Sequence, residues 1–197
     1  YYTPFTGTYS NYFNGSTDYL TSSTINTNLN FGSGNFTIEC WVYPLTYNSG
    51  NSRMFIIGPA TGATGYFTFY IDINGKLNYG PSGTTLITSS ATVPLNAWTH
   101  VAIVRNSNST TVYINGTSSG SATDNSNYTG ATNLYIGAVP SAAQYYYQGY
   151  ISNIRAIKGQ ALYTGNFTPA TSALNTSSIG TSGANVAASI TGTVALL

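Results

Sequence analysis

The chain holds four carboxylates, Asp18, Glu39, Asp72 and Asp124, and a single imidazole, His100. These are the groups that could move protons or bind a metal. Cleaving a glycosidic bond takes two carboxylates about 5–10 Å apart. Glu39 stands in the segment Phe36–Val42, where Phe36, Ile38, Cys40 and Val42 alternate with Thr37, Glu39 and Trp41. A period of two marks a strand, and no second acid shares the Glu39 face. Glu39 is therefore read as the partner of an arginine or of backbone groups. His100, in WTHVAIV, lacks the second imidazole that a histidine metal site would want. Cys40 is the only cysteine. No internal disulfide can form, and its apolar strand face makes it a buried, inert thiol. The parts for catalysis are missing, and the chain reads as a non-enzyme.

Recognition has better material. Tyr145, Tyr146 and Tyr147 are consecutive, with Tyr150 close by. They open a long strand-like segment, Tyr146–Ala156. Alternation puts Tyr145 and Tyr147 on one face and Tyr146 on the other, so at least one ring should face outward. An exposed tyrosine offers large contact area at low entropy cost, to a sugar or to a protein. The same rings would also serve to cap the edge of a sandwich. These four are the candidate ligand or partner contacts.

Charge narrows the partners. Only 5% of residues are charged, against about 25% in ordinary domains. The basic residues are Arg53, Lys76, Arg105, Arg155 and Lys158. Only the last two are neighbours, too few to neutralise a run of phosphates, which argues against nucleic acid. The surface must be built from Ser, Thr, Asn, Gly and Tyr. It leaves salt little Coulomb energy to screen and copies little mutual repulsion. That suits a homo-oligomer or larger assembly, or a place outside a cell. No apolar run reaches the ~18 residues of a membrane span. The chain begins at Tyr1 with neither Met nor a signal peptide. A processed product, or a piece of a longer polypeptide, is expected.

The elements that must position these residues are strands. Arg53–Gly58, Tyr66–Ile73, Leu86–Ser89, Trp98–Arg105, Thr110–Ile114 and Leu134–Ala138 are short runs rich in aromatic and β-branched residues. Asn74-Gly75 and Asn115-Gly116 read as two-residue hairpin turns. Pro94 stops the strand before it. Thr117–Thr132 is polar and aperiodic and reads as a long exposed loop. No dozen residues show a helical period. The predicted core includes Phe36, Ile38, Cys40, Val42, Val101, Ile103 and Ile114.

Four segments in order, FTIECWVYP at Phe36–Pro44, WTHVAIVRN at Trp98–Asn106, VYINGT at Val112–Thr117 and GYISNIRAIKGQALYTGNFTPAT at Gly149–Thr171, resemble the laminin-G-like, concanavalin A-like jelly-roll family. The version ending ALYTGNFTPAT is similar to modules of bacteriophage virion proteins and bacterial surface proteins. The resemblance implies an all-β, two-sheet antiparallel jelly-roll β-sandwich over residues 1–174. The Glu-x-Asp-x-x-Glu pattern of related laminarinase-like enzymes is absent: Trp41 and Pro44 stand where the second and third acids would. What is implied is a non-catalytic interaction module. It is a virion structural protein, as capsid decoration or tail-fibre component, or a secreted or cell-surface carbohydrate-binding or adhesion module. Its place is the virion surface or extracellular, with other virion or surface proteins and glycans as partners. Relatives often hold Ca²⁺ at the sandwich rim; Asp18, Asp72 and Asp124 are the carboxylates available here, Asp124 having Asn125 and Asn127 beside it, and no residue is assigned to a metal. Asp18 more simply satisfies a turn. Residues 175–197 lie past the family pattern yet carry Val186, Ile190, Val194, Leu196 and Leu197. They are expected to form a strand that packs on another copy or another protein. An extra edge strand on the chain's own sandwich and a frayed end are the alternatives.

Overall fold

In a computed structural model the described residues are 3–22, 30–47, 53–59, 65–81, 83–129, 133–139, 145–177 and 183–196. They form strands and connections without a helix. One sheet holds β1 (Asn11–Asn14), β3 (Phe36–Pro44), β8 (Thr99–Asn106), β9 (Ser109–Ile114), β10 (Thr117–Thr123), β12 (Gln148–Lys158) and β13 (Thr193–Leu196). Its order is β1-β12-β3-β8-β9-β10, with β13 also on β12. The other sheet runs β2 (Leu20–Ser22), β11 (Leu134–Ile136), β4 (Arg53–Pro59), β5 (Phe67–Asp72), β6 (Lys76–Pro81), β7 (Ile87–Thr92). Every strand pairing among the described residues is antiparallel. This is the two-sheet sandwich expected from the alternating patterns.

The facing surfaces hold one apolar core. Phe36, Ile38, Cys40, Val42, Val101, Ile103 and Ile114 all belong to it, packed against Phe67, Phe69, Ile71, Leu77 and Tyr79 of the second sheet. The strand register read from the sequence therefore holds. Burial pushes the Cys40 thiol well above its ordinary range, which fits an inert role.

One end of the core is closed by a polar knot. Asp124 is buried and accepts hydrogen bonds from Tyr79 Oη (2.8 Å), Tyr128 Oη (3.0 Å) and Thr110 Oγ1 (3.1 Å). Arg105 lies 3.8 Å from it and donates to the carbonyls of Gly32, Gly34 and Ser126. The expected exposed loop over Thr117–Thr132 is thus corrected. Its first half is β10, an edge strand held by main-chain pairing, which needs no apolar period; Asp124 and Tyr128 then turn inward. Residues 130–132 fall outside the described residues.

The two predicted hairpins differ. Asn115 and Gly116 both have positive φ (49° and 74°), as a two-residue turn of the mirror-image kind requires. The other loop has three residues, Ile73 to Gly75. The Asp72 carboxylate accepts the amides of Asn74 and Lys76 and sets that turn, while Gly75 takes φ 72°.

β12 organises the first sheet. Along one edge it pairs β3 over Gly149–Ser152 and again over Arg155–Lys158. Along the other it pairs β1 over Gln148–Ile151 and β13 over Arg155–Lys158. Between Ser152 and Arg155 it carries a bulge, with Asn153 at φ 51°. One extra residue reverses the alternation. Tyr150 and Ser152 face outward before the bulge, and Arg155 and Ile157 face outward after it.

β13 corrects the expectation for the tail. Thr193–Leu196 pairs with β12 of its own sheet, and Val186, Ala187, Ile190 and Val194 pack on Ala102, Val104, Tyr113, Ile157 and Leu162. Ala102 and Val104 of β8, Tyr113 of β9 and Ile157 of β12 form an apolar outer face within the chain itself, and Leu162, from the connection after β12, packs on it. Val186, Ala187, Ile190 and Val194 cover that face from within the chain and are partly buried by it, while Leu196 stays 43% exposed.

Candidate functional site

The outer face of the first sheet has two halves, one covered and one open. The cover comes from the described residues 159–177 and 183–196. Tyr163 and Phe167 stack at 3.5 Å and 4°, and Phe167 meets His100 and Tyr113 edge-on. Thr37 Oγ1 receives the Leu162 amide and donates to the Gln160 carbonyl. The Phe167 amide donates to the Gly116 carbonyl, and a Cβ on Gly116 would collide with the Phe167 backbone. The ALYTGNFTPAT motif is accordingly a packing motif here. Leu162, Tyr163 and Ala170 are buried by it.

Beneath the cover lies a closed ionic cluster. Arg155 donates to Glu39 Oε1 from Nε (2.8 Å) and Nη2 (2.5 Å). Tyr163 Oη donates to Oε2 at 2.8 Å, and His100 Nε2 stands 3.0 Å from the same oxygen. A carboxylate only accepts, so the imidazole proton belongs on Nε2. The Nδ1 atom is buried with no partner among the described residues. Burial alone would raise the Glu39 pKa. The His100 hydrogen bond, the Arg155 charge and the Tyr163 hydroxyl outweigh it and hold the carboxyl below its ordinary value. Glu39, His100 and Arg155 have no exposed surface, so no substrate reaches them as the chain is folded. The partnership of Glu39 with an arginine is as expected. The bulge at Asn153 puts Arg155 there, because without it position 155 would face the core.

The open half carries aromatic rings. Tyr12 on β1, Tyr150 on β12 and Tyr43 on β3 are paired neighbours across three adjacent strands. Trp98, just ahead of β8, follows Tyr43. Ring centroids are 5.1 Å apart for Tyr12–Tyr150, 6.0 Å for Tyr150–Tyr43 and 5.5 Å for Tyr43–Trp98, with planes inclined by 50°, 80° and 60°. Tyr12 is 49% exposed, and the other three are half-buried. Trp41 and Ser152 lie one step inward on the same face, where Phe5 stands edge-on to Trp41 at 5.2 Å. The result is a single row of rings crossing the sheet at right angles to its strands.

Among the four tyrosines singled out from the sequence, Tyr150 belongs to this row. Tyr147 is corrected: it is fully buried in the core and meets Phe13 edge-on, so it touches no ligand. Tyr145 packs with Tyr70, Tyr135 and Val139 on the outer side of the second sheet. Tyr146 is half-buried. The four do not form one site, because the chain crosses from one sheet to the other between them. Tyr12, Tyr43 and Trp98 were missed. Only the outward phase of Tyr43 and Trp98 in their alternating segments signalled them.

The sequence Gly116-Thr117-Ser118-Ser119-Gly120 has nucleophile-elbow spacing. Here it runs along β10, where the Ser118 amide is held by Asn166 Oδ1 and Ser119 is buried against Ala91. The aspartates serve turns and the knot: Asp18 accepts the Asn14 amide, Asp72 caps its hairpin, and Asp124 is enclosed. No group of three His, Cys, Asp or Glu that could hold a metal occurs among the described residues.

The family model described as the concanavalin A-like lectin/glucanases superfamily matches residues 14–163, and the chain belongs to that family. No curated protein matches. Similar solved structures include a heptameric SAP-like pentraxin from Limulus polyphemus, 18% identical with TM-score 0.61 over 95% of this chain and 90% of that one. Mouse laminin α1 domains LG4-5 are 13% identical with TM-score 0.57, over 78% and 42%. The CBM40 of a Ruminococcus gnavus sialidase, bound to α2,3-sialyllactose, is 15% identical with TM-score 0.52, over 66% and 78%.

Proposed function

We propose that this chain is a non-catalytic glycan-binding module whose platform is the row Tyr12, Tyr150, Tyr43 and Trp98. The observation that carries the reading is the row itself. Four rings stand in file on the uncovered half of an otherwise covered sheet face. Aromatic side chains present an apolar face with a polar handle, the combination that a sugar's C–H face and hydroxyls match. The sialyllactose-bound CBM40 of like fold supports the reading. The setting we propose is a surface outside a cell. It is either a bacteriophage virion, where the chain is a capsid decoration or tail-fibre component, or a cell surface where it serves adhesion. The ALYTGNFTPAT resemblance and the uncharged surface support this setting. Several copies in one assembly would present several rows and gain avidity.

Calorimetric titration with glycans, on the native chain and on Trp98→Ala and Tyr150→Ala, tests the platform. Each substitution is expected to weaken binding by roughly tenfold or more, about 1.4 kcal/mol, with little change in melting temperature. Glycan binding that survives both changes would move the site elsewhere. Mass spectrometry of purified phage particles and of cell envelopes decides the setting.

A further inference from the structure

We infer that the row takes a neutral, unbranched glycan and grips it along the interior of the chain rather than at its terminal sugar. This rests on the glycan-binding reading above. Three features of the row carry it.

The first is charge. The strands that carry the row hold Glu39, Arg105, Arg155 and Lys158. The first three are fully buried and already engaged in the ionic cluster and the polar knot. Lys158 lies eight positions along β12 from Tyr150, roughly 26 Å at strand rise. Lys76 and Arg53 belong to the other sheet. Outside the ionic cluster and the polar knot, the charged group nearest in sequence to the row is Asp18, in the turn that closes β1, where its carboxylate accepts the Asn14 amide. Among the described residues of these strands no cation stands beside the row to offset the desolvation of a sialic acid, uronic acid or sulfate.

The second is the shape of the ends. β1 is the margin of the sheet at the Tyr12 end. β9 stops at Ile114, opposite Val101, so among the described residues no strand flanks Trp98 at the other end. A site for one terminal sugar is a pocket with converging polar groups. This row instead runs from the β1 margin of the sheet to the start of β8, short of the level where β9 begins to pair.

The third is repetition. Steps of 5.1, 6.0 and 5.5 Å are of the order of one sugar ring in an extended glycan. The inclined planes suit a chain whose sugars rotate from one to the next.

A glycan microarray carrying neutral and anionic chains of different lengths, probed with the native chain and with Trp98→Ala, tests the inference. The expected signal is confined to neutral linear chains, rises roughly tenfold or more from one sugar to about four, and falls with Trp98→Ala. Signals led by sialylated, uronic or sulfated glycans, or as strong for a single terminal sugar as for longer chains, overturn this inference and leave the glycan-binding reading standing. No signal on any glycan, from a chain whose thermal unfolding shows it folded, overturns both.

Discussion

At the scale of residues, the molecule commits nearly all of its buried charge to two knots. Removing one partner of a buried pair strands the other, at a cost of about 3–5 kcal/mol. Arg155→Ala is expected to lose that much in denaturant unfolding, because Glu39 would remain buried with only His100 and Tyr163. A loss below about 1 kcal/mol would mean the cluster is hydrated rather than closed. Burial raises and hydrogen bonding lowers the Asp124 carboxyl as well, with the amide and hydroxyl of Ser126 and the hydroxyls of Tyr79 and Tyr128 prevailing. Both folded-state pKa values therefore lie below the unfolded ones, near 4. Their stabilising contribution is present above the unfolded value and is lost as pH falls through the folded values. Unfolding free energy should level off above about pH 5 and decline below about pH 4, and Glu39→Gln should flatten that decline. In the apolar core, Ile38→Ala or Ile103→Ala is expected to cost ~2–5 kcal/mol, as buried large-to-small changes do.

At the scale of elements, the C-terminal segment is a structural part of the sandwich. It contributes β13 to the sheet and apolar side chains to the outer face. Deleting Ala184–Leu197 removes Val186, Ile190 and Val194 and bares Ile157 and Leu162. The truncated chain should melt at clearly lower temperature than the full one, followed by circular dichroism. An unchanged melting temperature would show that the cover adds no stability. The bulge in β12 matters in the same way. It lets one strand present Tyr150 to the open half and Arg155 to the closed cluster on the same face.

At the scale of the whole molecule, the low charge predicts insensitivity to salt. Surface pairs are screened by added ions while buried ones are screened far less, and the described ion pairs are buried. Melting temperature should change little between dilute buffer and 1 M sodium chloride. A strong dependence would reveal surface electrostatics that the composition does not supply.

Alternation along Phe36–Val42 and Trp98–Val104 determined from the sequence alone that both segments are strands, and which side chains enter the core. Burial of a two-residue period leaves little choice of register. Composition likewise determined a nearly uncharged surface, and the spacing of the four family segments pointed to the sandwich. Three things were decided only by the tertiary structure. Two strands on opposite edges of β3 bring His100 and Arg155 to Glu39, and a one-residue bulge sets the phase of Arg155. The tail turned back onto its own sheet because β8, β9 and β12 left an apolar outer face to cover. The ring row assembled from Tyr12, Tyr43, Trp98 and Tyr150, far apart in the chain, because antiparallel pairing sets side chains on neighbouring strands about 5 Å apart whatever their separation in sequence.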